Sequence, residues 1–277
     1  MQHTEGKFTG RNNFSLYRQA WLPDGAPKAI LLVVHGIAEH SGRYTNLVNY
    51  FVPKGYAVCS FDLRGHGKSD GKRSYVERFS YYLDDLQTFF SLVRAENPNA
   101  KIFMVGHSMG STIAIDYVLT HQNEMNGLII SGTTLKLGSS INQATKLLAR
   151  ILSVLTPKMG VSTLDFAGMS RDKAVVEAYI NDPLNYTGKL SARFGTELLK
   201  TMGMLQKRLS EITIPILIMQ GSQDRIVDPS STKLLYDGVS SKDKTMKIYE
   251  GFYHEIFSDP ERQQVFADME GWLKARL

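Results

Sequence analysis

The sequence predicts an α/β fold: a mostly parallel central sheet with helices on both faces and an inserted helical cap. Three observations predict it. Short apolar runs alternate with longer stretches of helical character. The runs are apolar throughout rather than at every second residue. One long block then interrupts the alternation. A strand covered on both faces loses its period of two, because neither face meets water, and crossover helices over parallel strands create that condition.

Six runs read as strands: "AILLVVHG" (Ala29 to Gly36), "YAVCSFD" (Tyr56 to Asp62), "IFMVGHS" (Ile102 to Ser108), "GLIISG" (Gly127 to Gly132), "IPILIMQGSQD" (Ile214 to Asp224) and "TMKIYEG" (Thr245 to Gly251). Each is rich in Ile, Val, Leu or Phe and ends in glycine or a polar turn. "STIAIDYVL" reads as a helix directly after the third run. From about Thr133 to Ser210 no strand is evident. There "NQATKLLARILSVLTP" carries Ala144, Leu147, Leu148, Ile151, Leu152 and Leu155 at the spacing of one helix face, and Pro157 stops it. "SRDKAVVEAYI" is a second helix with Ser170 as the expected N-cap. The division is a core of residues 1–132 and 211–277 and a cap of residues 133–210.

The composition sets bounds. The chain has 277 residues, 43% hydrophobic and 21% charged, enough for one large domain with an insertion. Cys59 is the single cysteine, so no intramolecular disulfide forms; its apolar run predicts a buried, inert thiol. The net charge of +5 is scattered, with no run of five like charges and no basic stripe interleaved with aromatics, which argues against nucleic acid as a partner. "MQHTEGKFTGRNNF" has no apolar core of a signal peptide, and no run of 18 apolar residues exists, so a cytoplasmic protein is expected. The triplets at Asn13 and Asn185 are then incidental.

"GHSMG" (Gly106 to Gly110) fits G-x-S-x-G, a sharp strand-to-helix turn with Ser108 at its tip. Side chains two before and two after would strike the neighbouring strands and helix, so glycine is required there. The turn also aims a helix N-terminus at the reacting centre. A serine hydroxyl needs a base. His254, in "YEGFYHEIF", is the last of seven histidines and follows the last strand. The base needs an acid between serine and histidine, just after a strand. "ILIMQGSQDRIVDP" offers Asp224 and Asp228; Asp224 lies nearer the strand end, and Asp228, before Pro229, reads as a cap for the next helix. The order Ser108, Asp224, His254 is that of α/β-hydrolases rather than of chymotrypsin or subtilisin. An oxyanion needs two backbone donors: Met109 N–H, directly after the nucleophile, and Ile37 N–H in "VVHGIAEHSGRY". "DLRGHGKSDG" lacks the P-loop pattern, and its Asp62, Arg64 and His66 read as loop packing. The histidines make no familiar zinc spacing, so neither metal nor other cofactor is expected.

With these residues in view, the sequence resembles the monoacylglycerol lipase family of α/β-hydrolases, also known as lysophospholipase-like. The resemblance runs over nearly the whole chain, through "HGIAEHSGRY", "RGHGKSDG", "GHSMGS", "SRDKAVVEAYINDPL", "QGSQDRIVDP" and "KIYEGFYHE". It implies Ser108 as nucleophile, Asp224 as acid, His254 as base, and Ile37 and Met109 as oxyanion donors. It implies that Glu39 and Arg43 line the narrow end of the pocket near a glycerol head, with Tyr179 of the cap close to the same polar group. From the residues alone Glu39 and Arg43 read as a surface ion pair. Two positions depart from the family pattern: Ser111 where glycine is common, and Phe257 where mammalian members carry a second histidine.

The expected activity is hydrolysis of monoacylglycerols through an acyl-enzyme on Ser108. The alternative is a general carboxylesterase or lysophospholipase/thioesterase on the same triad, because fold alone does not separate them. The expected partner is a small lipid ester, in a monomer or weak dimer, with a transient membrane-surface contact through the apolar helix of the cap. The competing reading of that helix is a face packed only on the core.

Overall fold

The computed structural model describes residues 1–136 and 150–277. Its centre is an eight-stranded sheet. The strands are β1 (Gln2–Thr9), β2 (Ser15–Leu22), β3 (Ile30–Val34), β4 (Ala57–Phe61), β5 (Ile102–His107), β6 (Gly127–Ser131), β9 (Ile216–Gly221) and β10 (Lys244–Tyr249), in the order β1-β2-β4-β3-β5-β6-β9-β10. From β4 to β10 every neighbouring pair is parallel, while β1 and β2 add an antiparallel hairpin at one edge. All six sequence-predicted strands are present.

Successive residues of a strand point to opposite faces, and both faces here are covered. Ile30, Leu32 and Val34 of β3 enter one core with α2 (Ser80–Glu96), α3 (Met109–His121), α5 (Ala192–Leu205) and Leu235 of α6 (Ser230–Gly238). Leu31 and Val33 enter a second core with α1 (Thr45–Phe51) and α7 (Arg262–Lys274). This is why the central strands read as unbroken apolar runs. Cys59 is buried in the first core, and burial pushes its thiol up to about 12, which leaves it a small hydrophobe.

Between β6 and β9 the chain leaves the main sheet. It carries α4 (Lys173–Asn181), α5 and a small antiparallel pair, β7 (Gly160–Ser162) with β8 (Leu190–Ser191). The expectation of no strand in this block is therefore corrected: β7 and β8, three and two residues long, are too short to leave a pattern. The N-cap of α4 is also corrected. Asp172 fills it, accepting from Ala174 N–H at 2.9 Å, while Ser170 Oγ, two residues earlier, accepts from Asp172 N–H. Ala144, Leu147 and Leu148 lie outside the described residues. Of the rest of that predicted stripe, Ile151 and Leu155 are exposed and Leu152 is half-buried, so this end of the stripe does not pack on the core.

Candidate active site

The elbow forms where β5 runs into α3. Ser108 has φ 53° and ψ −125°, a left-handed backbone for a residue with a side chain. A Cβ on Gly106 would meet Gly110 O at 2.6 Å and Ala114 Cβ at 2.8 Å; one on Gly110 would meet Val34 O at 2.1 Å. Gly106 lets α3 fold back against the end of β5, and Gly110 lets α3 sit directly on the carboxyl end of β3. Ser111, at the position where glycine is common, fits: it is fully buried, and its Oγ accepts from Thr134 N–H at 3.0 Å. Because α3 begins at Met109, that residue's N–H is among those that a helix leaves unpaired at its start.

The loop after β3 lies against the elbow. A Cβ on Gly36 would come within 3.0 Å of Ser108 Cβ. The Gly36–Ile37 peptide is held on both sides of its glycine. Leu63 N–H donates to His35 Nε2 at 2.9 Å, so the proton sits on Nδ1, which donates to Gly36 O at 2.8 Å. Burial lowers the His35 pKa and keeps the ring neutral in that tautomer. On the other side Gly36 N–H donates to Glu39 Oε1 at 2.5 Å. In a trans peptide the carbonyl and the following N–H point opposite ways. With Gly36 O turned towards His35, Ile37 N–H faces away from it, and Ile37 lines the same pocket as Ser108.

The acid and base meet behind the serine. His254 Nδ1 donates to Asp224 Oδ2 at 2.7 Å. Asp224 Oδ1 accepts from Ile226 and Val227 N–H at 2.8 and 3.0 Å, and Gln220 Nε2 donates to Oδ2 at 2.5 Å. Burial would raise the Asp224 carboxyl, but His254 and these backbone donors outweigh it and hold the pKa below the usual carboxylate range. Burial would likewise lower His254; Asp224 first, then Glu255 and Glu39, reverse the sign and raise it. Its free nitrogen, Nε2, is buried without a hydrogen-bond partner among the described residues. Asp228 Oδ1 instead accepts from Ser230 N–H at the start of α6.

A largely buried charged cluster lies beside the pocket, which Glu39 and Glu255 line. Arg43 Nη1 lies 2.7 Å from Glu39 Oε2 and 3.1 Å from Glu255 Oε1. Tyr44 Oη donates to Glu39 Oε1 at 2.9 Å, and the Arg43 guanidinium lies 4.6 Å over the Tyr179 ring. The expected site residues Ser108, Asp224, His254, Ile37, Met109, Glu39, Arg43 and Tyr179 thus come together, but Glu39 is buried and the Arg43 side chain largely covered, rather than a surface pair. Burial would raise the Glu255 carboxyl, yet Arg43 and then His107 outweigh it and hold it well below its usual value. Glu255, His35 and Gln220 were not singled out in the sequence. For Glu255 the signal was its adjacency to His254; Gln220 and His35 gave only apolar-strand context. Phe257 turns into the second core beside Tyr44 and Phe266.

Elsewhere, Asp62, Arg64 and His66 are buried in loop packing. Asp62 Oδ1 accepts from Ser41 N–H at 2.8 Å, and Arg64 makes a two-pronged pair with Asp85 at 2.6 and 2.7 Å. A larger hollow between β2 and α2, lined by Arg18, Cys59 and Glu96 among others, contains none of the triad.

Residues 25–261 match the family model described as Serine aminopeptidase, S33 (Hydrolase_4). The chain is 32% identical to a monoacylglycerol lipase of Mycolicibacterium smegmatis, over 99% of this chain and 98% of that protein. The chain belongs to the monoacylglycerol lipase family of α/β-hydrolases. It is also 34% identical to the human monoglyceride lipase over 94% of this chain and 87% of that one. Among solved structures, the monoacylglycerol lipase of Paleococcus ferrophilus superposes with a TM-score of 0.83 at 31% identity, covering 95% of this chain and 99% of that one.

Proposed function

We propose that the protein hydrolyses monoacylglycerols to fatty acid and glycerol through an acyl-enzyme on Ser108. The observation that carries this is the convergence of Ser108, the Asp224–His254 pair and the Gly36–Ile37 peptide on one pocket. His254 Nε2 takes the Ser108 proton as Oγ attacks the ester carbonyl. The Ile37 and Met109 N–H groups hold the oxyanion, and each such donor lowers the barrier by on the order of 3 kcal/mol. The imidazolium, stabilised by Asp224, then protonates the leaving glycerol oxygen. Water enters, loses a proton to His254, and releases the acid by the same steps in reverse order. Glu39, Glu255 and Arg43 form a polar end suited to an alcohol rich in hydroxyls.

Residues 133–210 act as the cap. Two features support this: Tyr179 and Asp182 bond to the loop that carries Ile37, and Met169 O accepts from Glu255 N–H beside the base. On its outer side Ile151, Val154, Leu155, Met159 and Val161 are exposed, an apolar surface that leans on the lipid phase where the substrate resides. No helix among the described residues is long and apolar enough to cross a membrane.

The test is a fluorophosphonate probe with a substrate panel. Wild-type protein is expected to be labelled, and Ser108→Ala to lose both labelling and ester hydrolysis. Rates on mono-, di- and triacylglycerols, lysophospholipid and an aminoacyl anilide then define the substrate. Monoacylglycerol is expected to lead. Equal or better turnover of diacylglycerol, lysophospholipid or the anilide defeats that reading.

A further inference from the structure

Ala38 directly follows the oxyanion donor Ile37, and it is strained. Its φ is 63°, in the left-handed region where a Cβ costs about 1–2 kcal/mol. Something must hold it there. Its carbonyl accepts two hydrogen bonds, both from the cap: Tyr179 Oη at 2.7 Å and Tyr186 N–H at 2.9 Å. Two residues further on, His40 Nε2 bonds Asp182 Oδ2 at 2.8 Å. Gly42 N–H donates to His40 Nδ1, which leaves Nε2 as the donor of the neutral ring. One short cap segment, residues 179–186, therefore grips the oxyanion loop at two points.

Tyr179 is badly placed to serve a substrate. It is 1% exposed, its proton is committed to Ala38, and its ring is covered by Arg43 at 4.6 Å and by Phe166 at 5.5 Å. Burial first, then Glu39, raises its pKa and keeps the hydroxyl a donor. We propose that Tyr179 is a positioning residue of the oxyanion hole: through the Ala38 carbonyl it keeps the strained turn in shape and so fixes Ile37 N–H opposite Ser108. Relaxing φ of Ala38 towards negative values turns the Ile37–Ala38 peptide, and the chain accommodates that turn through φ and ψ of Ile37, which tilts the adjoining Gly36–Ile37 peptide that carries the donor. Seating of the cap and assembly of the oxyanion hole then become a single event. The inference rests on the reading of Ser108 as nucleophile and Ile37 as donor.

The experiment is Tyr179→Phe, which deletes only the hydroxyl. It is assayed on p-nitrophenyl acetate, which has no glycerol head, and on 1-decanoylglycerol. Affinity for a trifluoromethyl ketone, which forms an oxyanion on Ser108, is compared with affinity for decanoate. The expected result is a fall in kcat on the order of tenfold on both esters. KM stays within about twofold. Trifluoromethyl ketone affinity falls with kcat, and decanoate affinity holds. Adding Ala38→Gly is expected to recover part of the loss, because glycine takes a positive φ without help. Unchanged kcat on p-nitrophenyl acetate, a loss confined to KM for the glycerol ester, or a double variant no better than Tyr179→Phe overturns the proposal. Should Tyr179→Phe not fold, Asp182→Ala loosens the same segment at His40 and carries the same expectations for the two esters. Ser108→Ala separates the two levels of argument: residual hydrolysis in that variant would defeat the site itself, whereas inactivity there with a silent Tyr179→Phe defeats only the coupling.

Discussion

His254 is useful only when it can accept a proton, and its surroundings set where that holds. Burial works to keep the ring neutral, yet the carboxylates of Asp224, Glu255 and Glu39 raise its pKa above the ordinary 6.5. A raised pKa means the ring is charged, and idle as a base, until the pH climbs past it. The kcat/KM profile is therefore expected to rise through a midpoint above 6.5 and level off on the alkaline side. Glu255→Gln removes one of those charges and leaves the positive Arg43 less compensated, and both effects lower the His254 pKa. The acid limb of the profile should move to lower pH; a limb that stays or moves up would show that Glu255 does not act on the base. Asp224→Asn tests the other partner. Asparagine keeps the shape but can donate its N–H to Nδ1, favouring the wrong tautomer, so kcat is expected to fall by roughly 10⁴ with KM little changed. Single-turnover kinetics on a chromogenic ester measures this directly.

At the scale of the elements, the elbow depends on backbone meeting backbone. The nearest neighbour of a Cβ on Gly110 is Val34 O at 2.1 Å, followed by His35 O at 2.6 Å, and neither is a side chain that can swing away. Gly110→Ala must push α3 off β3, which displaces Met109 N–H and Ser108 together. We expect a loss of about 1–3 kcal/mol or more in urea unfolding and near-complete loss of fluorophosphonate labelling. Gly195→Ala is the control: nothing lies within 4 Å of its Cβ on α5, and stability should rise by roughly 0.5–1 kcal/mol. Equal outcomes for the two variants would undo the steric account. The same contrast explains which elements were legible in the sequence. β3, β4, β5 and β6 are buried at every residue, so composition alone marked them. β1 is exposed along most of its length, and β2 mixes buried and half-buried residues. An edge hairpin with a watered face carries polar residues and imitates a loop. The triad was legible because its chemistry is tied to strand ends. Glu255 and His35 were not, since their roles come from partners distant in sequence: Arg43 for the first, Leu63 for the second.

Across the whole molecule, the active site and the exposed apolar surface proposed to meet lipid belong to one continuous assembly. The segment proposed as the cap bonds the loop that carries Ile37 at Ala38 and His40, and it bonds the loop after His254 where Arg171 pairs with Asp259 at 2.7 and 2.8 Å. The same cap exposes Val154 at 74% and Leu155 at 72%, large side chains that gain nothing from water. Each contributes about 1.5–3 kcal/mol when fully withdrawn from water, so a pair inserted at a lipid surface changes partitioning by at least about tenfold. Val154→Asp with Leu155→Asp replaces both with charges that an interface rejects, and neither residue touches Ser108, Asp224 or His254. The double variant is expected to match wild type on dissolved p-nitrophenyl acetate. On monoacylglycerol presented in phosphatidylcholine vesicles its rate should drop at least about tenfold, in step with reduced co-sedimentation. The split between the two assays is the discriminating quantity. An equal loss on both substrates would mean that the exposed helix end supports the fold of the cap, and an equal rate on both would mean that substrate reaches Ser108 without this surface meeting the lipid.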